Sequence, residues 1–241
     1  MSVFRDRGVV LRTIRLGEAD RIVSFVTESH GKVRAVAKGV RRTGSKFGAR
    51  LEPLSHVALS GWQGRGDLDI VTQVEAIETF RGIREDLERV TVGYAMLEVV
   101  DQIAQERHAN PRLYAMLAGA LRVLDQRPAV LVGPAFFLKV LALEGSAPVL
   151  DQCAACGEED VGSLVAFDLV HGGVLCRSCR RGRPLSPAGL VLLRQILGGE
   201  LGAALDAGRS EATEEVSALM TEAMESHLER RIRSLHTSLV P

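Results

Sequence analysis

"GVVLRTIRLGEADRIVSFVTESHGKVRAVAKGV" (Gly8–Val40) decides how this chain begins. It holds three short runs rich in Val, Ile and Thr, broken by "GEAD" and "SHG". β-branched residues favour extended backbone, and Gly beside Asp or Ser marks turns. Val33, Ala35 and Ala37 alternate with Arg34, Val36 and Lys38, so the third run has one apolar face. Two more runs follow, "SHVALSGW" (Ser55–Trp62) and "LDIVTQVEAIE" (Leu68–Glu78), with "RTGS" and "GRGD" as turn signals. Five short strands in so short a span fit a small barrel or sandwich, and a barrel of the OB type over residues 1–80 is the first expectation.

After Arg81 the period changes. Leu113, Met116, Leu117, Ala120, Leu121 and Leu124 recur at helical spacing, and Asn110-Pro111 offers a cap and a first-turn proline. Residues 84–106 carry the same periodicity. "PAFFLKVLALEG" (Pro134–Gly145) is apolar almost all round and predicts a buried helix. Ser186-Pro187 opens another helix, and a last one is expected over Glu211–Leu235. About five helices are expected to form a bundle over residues 81–241. The fold class is α+β and multi-domain, an OB barrel followed by a helical domain.

Within that domain, residues 151–184 stand apart. All four cysteines fall here, as Cys153-x2-Cys156 and Cys176-x2-Cys179, around a hairpin that turns at His171-Gly172-Gly173. Two such pairs can close a tetrahedral four-sulfur shell around one Zn²⁺ at about 2.3 Å per bond. Redox dithiols or free thiols are the alternatives. Four sulfur ligands leave no open position for water, so a structural zinc is expected, in a zinc-ribbon-like element. Arg177, Arg180, Arg181 and Arg183 surround the second pair, either to touch phosphate or as solvated surface.

The formal net charge is zero, with thirty basic and thirty acidic residues, but the distribution is uneven. Positions 1–50 carry twelve basic and four acidic residues, and the chain from Ser186 onward carries five and eight. "GKVRAVAKGVRRTGSKFGAR" (Gly31–Arg50) has Lys32, Arg34, Lys38, Arg41, Arg42, Lys46 and Arg50 and no acid. Phe47 sits among them. A positive groove with a stacking aromatic is how single strands are bound without sequence preference. These eight residues are the candidate DNA-binding set, although Phe47 could instead fill the core. Trp62, the single Trp, could stack on a base or plug the barrel end.

No phosphate-binding Walker loop, nucleophile triad or paired carboxylates stand out, so no enzyme is expected. No signal segment opens the chain and no apolar run is long enough to span a membrane, so a cytoplasmic protein is expected.

The first fifty residues closely resemble the N-terminal domain of the RecO family of bacterial recombination mediators. "GEAD" (Gly17–Asp20), "HGK" (His30–Lys32), "AKGVRR" (Ala37–Arg42) and "LEP" (Leu51–Pro53) carry the resemblance. "EAIETFRGIREDL" and the four cysteines in a helical domain extend it along the chain. The resemblance implies DNA repair and homologous recombination. It implies binding of single- and double-stranded DNA and annealing of complementary strands. It implies partnership with RecR and with the C-terminal tail of single-strand-binding protein, in order to load RecA at the nucleoid. Lys38, Arg41, Arg42, Lys46 and Arg50 fall in the family's basic-loop motif. The competing reading is a zinc-ribbon nucleic-acid-binding factor that acts on RNA or in transcription.

Overall fold

The computed structural model describes residues 2–64 and 66–236. Two compact units emerge, one of residues up to Gln126 together with the segment from Arg233, the other Arg127–Ile232.

The first unit contains the predicted barrel. Strands β1 (Val3–Leu16), β2 (Asp20–Thr27), β3 (Gly31–Ala37), β4 (His56–Trp62) and β5 (Asp69–Glu78) close in the order β1-β2-β3-β5-β4. β1 is long enough to serve two neighbours. Val3–Val9 pairs with β4 and Gly8–Leu16 with β2, and a bulge between Val10 and Arg12 bends the strand around the corner. Every pairing is antiparallel except β3 with β5, where Ala35 lies beside Asp69 and Val36 beside Ile70. The inward residues Val10, Val23, Phe25, Val33, Ala35, Val57, Leu59 and Val71 fill the interior.

The β3–β5 ladder is short, and the gap below it is filled from far away in the sequence. Lys32 N–H donates to the Gln105 carbonyl, and Arg107 N–H donates to the Lys32 carbonyl, both at 3.0 Å. Gly31 permits this approach. Its φ is +69°, and a Cβ there would stand 2.0 Å from the His108 carbonyl oxygen. The "HGK" motif is thus where the connector seats against the barrel.

Helices α1 (Arg81–Arg84), α2 (Leu87–Ile103) and α3 (Pro111–Gln126) belong to the same unit. α3 begins as its sequence predicts, with the Asn110 side chain accepting from Leu113 N–H at 3.0 Å. Its stripe of Leu113, Leu117, Leu121 and Leu124 is fully buried. A polar chain ties α3 to the barrel. Tyr114 Oη lies 2.7 Å from His56 Nε2, His56 Nδ1 lies 2.7 Å from Glu78, and Arg122 donates to the other Glu78 oxygen at 2.7 Å.

The second unit is built on α4 (Val132–Leu143), α5 (Pro187–Gly198) and α7 (Glu211–His227), with the short α6 (Leu201–Leu205). A three-stranded sheet of β6 (Leu164–Asp168), β7 (Gly173–Cys176) and β8 (Arg183–Pro184) completes it, in the order β7-β6-β8. α4 is apolar on nearly every side because it is buried on nearly every side. Ser186 caps α5, and Ser210 with Thr213 forms a capping box on α7.

The change from strand to helix falls near residue 80, while the compact units divide after Gln126, so that α2 and α3 lie in the barrel's unit and α4, α5 and α7 in the other. The last helix is shorter than its periodicity predicts. It stops at His227, because Glu229 takes a left-handed φ of +51° and Arg230 N–H folds back to the Glu225 carbonyl. A separate turn, α8 (Arg233–His236), follows, its first N–H groups capped by Glu98 at 3.0 and 3.1 Å.

Burial pushes the Tyr114 hydroxyl up to about 12, which keeps it a donor to His56. Tyr114→Phe should leave the buried His56 nitrogen unpaired and cost about 1–3 kcal/mol in a denaturant melt. Burial raises the Glu78 carboxyl, but hydrogen bonds from Arg122 and His56 outweigh it and hold it below its usual 4.5. A carboxyl lowered by folding stabilises above its unfolded value, and that share is lost as pH falls through the folded one. The melting temperature should therefore drop on acidification below 4.5, and less steeply in Glu78→Gln.

Candidate nucleic-acid interface and metal centre

The basic stretch splits into two parts with different fates. On β3, Lys32 and Arg34 project from one face, as their alternation predicts, but that face meets acids. Lys32 Nζ donates to the Asp101 carbonyl at 2.6 Å and lies 3.5 Å from its carboxylate. Arg34 lies 3.7 Å from Glu106, and Arg12 of β1 joins Asp101 at 2.8 Å. These cations seat α2 and its connector on the barrel. Lys32 and Arg34 are therefore withdrawn from the exposed DNA-facing set.

The loop after β3 behaves otherwise. Asp20 of the "GEAD" turn accepts from Gly39 N–H at 2.7 Å and pins the loop's base. Arg41 N–H donates to the Ala19 carbonyl, and its guanidinium reaches the Glu18 carbonyl at 3.0 Å, so the loop lies beside the β1–β2 turn. Gly39 and Gly44, with φ of +68° and +77°, let it reverse. Lys38, Arg41, Arg42 and Lys46 are exposed and Arg50 is half-buried. Among the described residues no carboxylate makes an ion pair with any of these five. Lys46 and Arg50 bond instead to the carbonyls of Thr72, Phe47 and Lys46, which orders the charge without cancelling it.

Phe47 is the clearest correction. Its side chain is 1% exposed and packs with Phe25, Leu51 and Val57 in the barrel core. It cannot stack on a base; it anchors the loop, and Lys46 Nζ sits 5.1 Å above its ring. Trp62 is 42% exposed, so it does not plug the barrel.

In the second unit the cysteines converge. Cys176 ends β7, and the chain turns so that Cys179 N–H donates to the Cys176 carbonyl at 3.1 Å. Across from it, Gly157 N–H donates to the Cys153 carbonyl at 2.9 Å, with Gly157 at φ +76°. All four Sγ atoms lie within 4.8 Å of one another, and Cys156 and Cys176 are 3.7 Å apart. A tetrahedron with 2.3 Å metal–sulfur bonds has edges of about 3.8 Å, so the spacing fits a metal and is far too long for disulfides. The thiols are pushed in different directions. Burial raises Cys153, but backbone donors at Cys176, Ala155 and Cys156 bring it down to about 6. Hydrogen bonding with Cys156 and Cys176 pushes Cys179 up to about 12. A cation at the centre removes that conflict.

The family model described as Recombination protein O N terminal matches residues 1–80, and that described as Recombination protein O C terminal matches residues 84–236. The chain belongs to the RecO family. Its members are mediators in DNA repair and recombination. Three RecO-like motifs now have physical roles. "GEAD" pins the basic loop, "HGK" seats the connector, and "LEP" buries Leu51 while Glu52 pairs with Arg21 at 2.5 Å. Among the described residues no helix is long and apolar enough to cross a membrane. The sequence did not signal a recess at the barrel end lined by Arg5, His30 and Arg107, whose members lie far apart along the chain.

Phe47→Ala should lower the barrel's stability by about 3–5 kcal/mol, read as a shifted denaturant midpoint. A variant that kept full stability and lost only DNA affinity would contradict the anchoring role.

Proposed function

We propose that this RecO-family protein binds single- and double-stranded DNA through the exposed loop of Lys38, Arg41, Arg42, Lys46 and Arg50, and anneals complementary strands. The observation that carries the reading is this run of unpaired cations on a closed OB barrel. Phosphate contacts by such residues release counterions, so affinity falls steeply with salt. Neutralising two strands at once lowers their mutual repulsion and favours pairing.

In this reading the protein turns nothing over. It acts in the cytoplasm, at the nucleoid, with RecR, on DNA coated by single-strand-binding protein, and so prepares a strand for RecA. A recess of about 310 Å³ in the second unit, lined by Leu141, Pro148, Phe167, Met220 and Ala223, suits the apolar end of that protein's tail. Cys153, Cys156, Cys176 and Cys179 would hold one Zn²⁺, which supplies a cross-link between the two turns. With all four positions taken by sulfur its role is structural.

Replacing Lys38, Arg41 and Arg42 together with Ala should reduce the slope of log affinity against log salt by about 2–3. It should also slow annealing of complementary oligonucleotides coated with single-strand-binding protein. An unchanged slope would sink the assignment of the loop, and no annealing by the wild type would sink the function. Cys153→Ser should release bound zinc, detected by a chromogenic chelator, and lower the melting temperature. The DNA affinity of the protein that stays folded should be unchanged.

A further inference from the structure

The barrel has a second polar feature, at its other strand ends. A recess of about 410 Å³ opens between the start of β1, the turn before β3 and the loop after β4. Its walls include Arg5, Ser29, His30, Gln63, Asp69 and Arg107. That volume lies in the range of single small-ligand sites, ~300–1,000 Å³, and is too small for a strand to run through.

The charges in it are unevenly committed. Arg5 is exposed, and among the described residues it has no ion pair and no side-chain hydrogen bond. Arg107 uses one nitrogen only, Nη2, which donates to the Gly66 carbonyl at 3.0 Å and lies 3.4 Å from Asp69. A guanidinium has five donors, so most of its fork remains. Asp69 is the one carboxylate in the wall. It is 6% exposed and also accepts from Gly64 N–H at 3.0 Å, so its charge is already answered. His30 Nδ1 lies 2.6 Å from Asp6, and its Nε2 makes no hydrogen bond among the described residues. Arg107 also sits at φ +58°, a backbone state uncommon for a non-glycine residue, fixed by its N–H bond to the Lys32 carbonyl. Such strain gathers where a side chain must be aimed. On the rim, Val3 and Trp62 are paired across the β1–β4 ladder and both are exposed, a flat apolar surface beside a cationic pocket.

The geometry points to a site for the terminal phosphate of a single DNA strand, held by Arg5, Arg107 and His30, with the end base on Trp62 and Val3. The inference rests on the DNA-binding reading above and adds to it a preference for strand ends. The basic loop grips phosphates anywhere along a strand, whereas this recess takes one end. A terminal phosphomonoester carries more charge and more acceptor oxygens than an internal diester, and a guanidinium fork matches it.

The test compares one unstructured oligonucleotide with hydroxyl ends, with a 5′-phosphate and with a 3′-phosphate, by fluorescence anisotropy on the full chain. A phosphate at one or both ends should tighten binding about tenfold in the wild type. Arg5→Ala, whose side chain has no partner to lose, should abolish that preference and keep the affinity for hydroxyl-ended DNA. Arg42→Ala should weaken all three oligonucleotides alike and keep the preference. Equal affinities in the wild type, or a preference that survives Arg5→Ala, overturn the pocket and leave the loop reading intact. No binding of any oligonucleotide overturns the loop reading itself. If thymidine monophosphate binds as tightly as the phosphorylated oligonucleotide, the recess is a free-nucleotide site and the strand-end assignment falls.

Discussion

The closure of the barrel depends on a meeting that no local preference provides. β3 and β5 run parallel and share only Ala35–Asp69 and Val36–Ile70, and the edge beyond them is completed by Gln105–Arg107. An open strand edge exposes unpaired N–H and C=O groups, which is costly and invites wrong pairing. The connector between α2 and α3 removes that edge, and Gly31 makes room for it. The first folding unit consequently cannot end where the strands end, and it reaches to Gln126.

That constraint also sorts the cations. Because Asp101 and Glu106 sit at the end of α2 and in its connector, Lys32 and Arg34 are consumed in docking. The loop beyond β3 lies out of their reach and keeps its charge free. Partly buried pairs of this kind contribute to register more than to net stability, since desolvation offsets much of the attraction. The same segment brings Arg107 into the barrel-end recess, so one connector shapes both cationic surfaces of the unit.

The second unit gathers its four cysteines at one place. Two turns beside a small sheet bring four sulfurs together, while Leu164, Phe167, Val174 and Leu175 of that sheet are buried. The four Sγ atoms lie within 4.8 Å of one another, a spacing compatible with a metal site.

The sequence alone carried the periodic features. The alternation in Val33–Lys38, the leucine stripe of α3, the cap signals at Asn110 and Ser186 and the Cys pairs were all legible. Each is a local pattern whose period or spacing matches its geometry. The acid-free run likewise announced a positive surface. What the tertiary structure alone decided concerns pairs distant along the chain. It turned Phe47 inward, spent Lys32 and Arg34 on α2, divided the helices between two units and gathered Arg5, His30 and Arg107 around one recess. No window of sequence contains those partners, because burial and ion pairing are settled by which surfaces meet, and only the closed fold sets that.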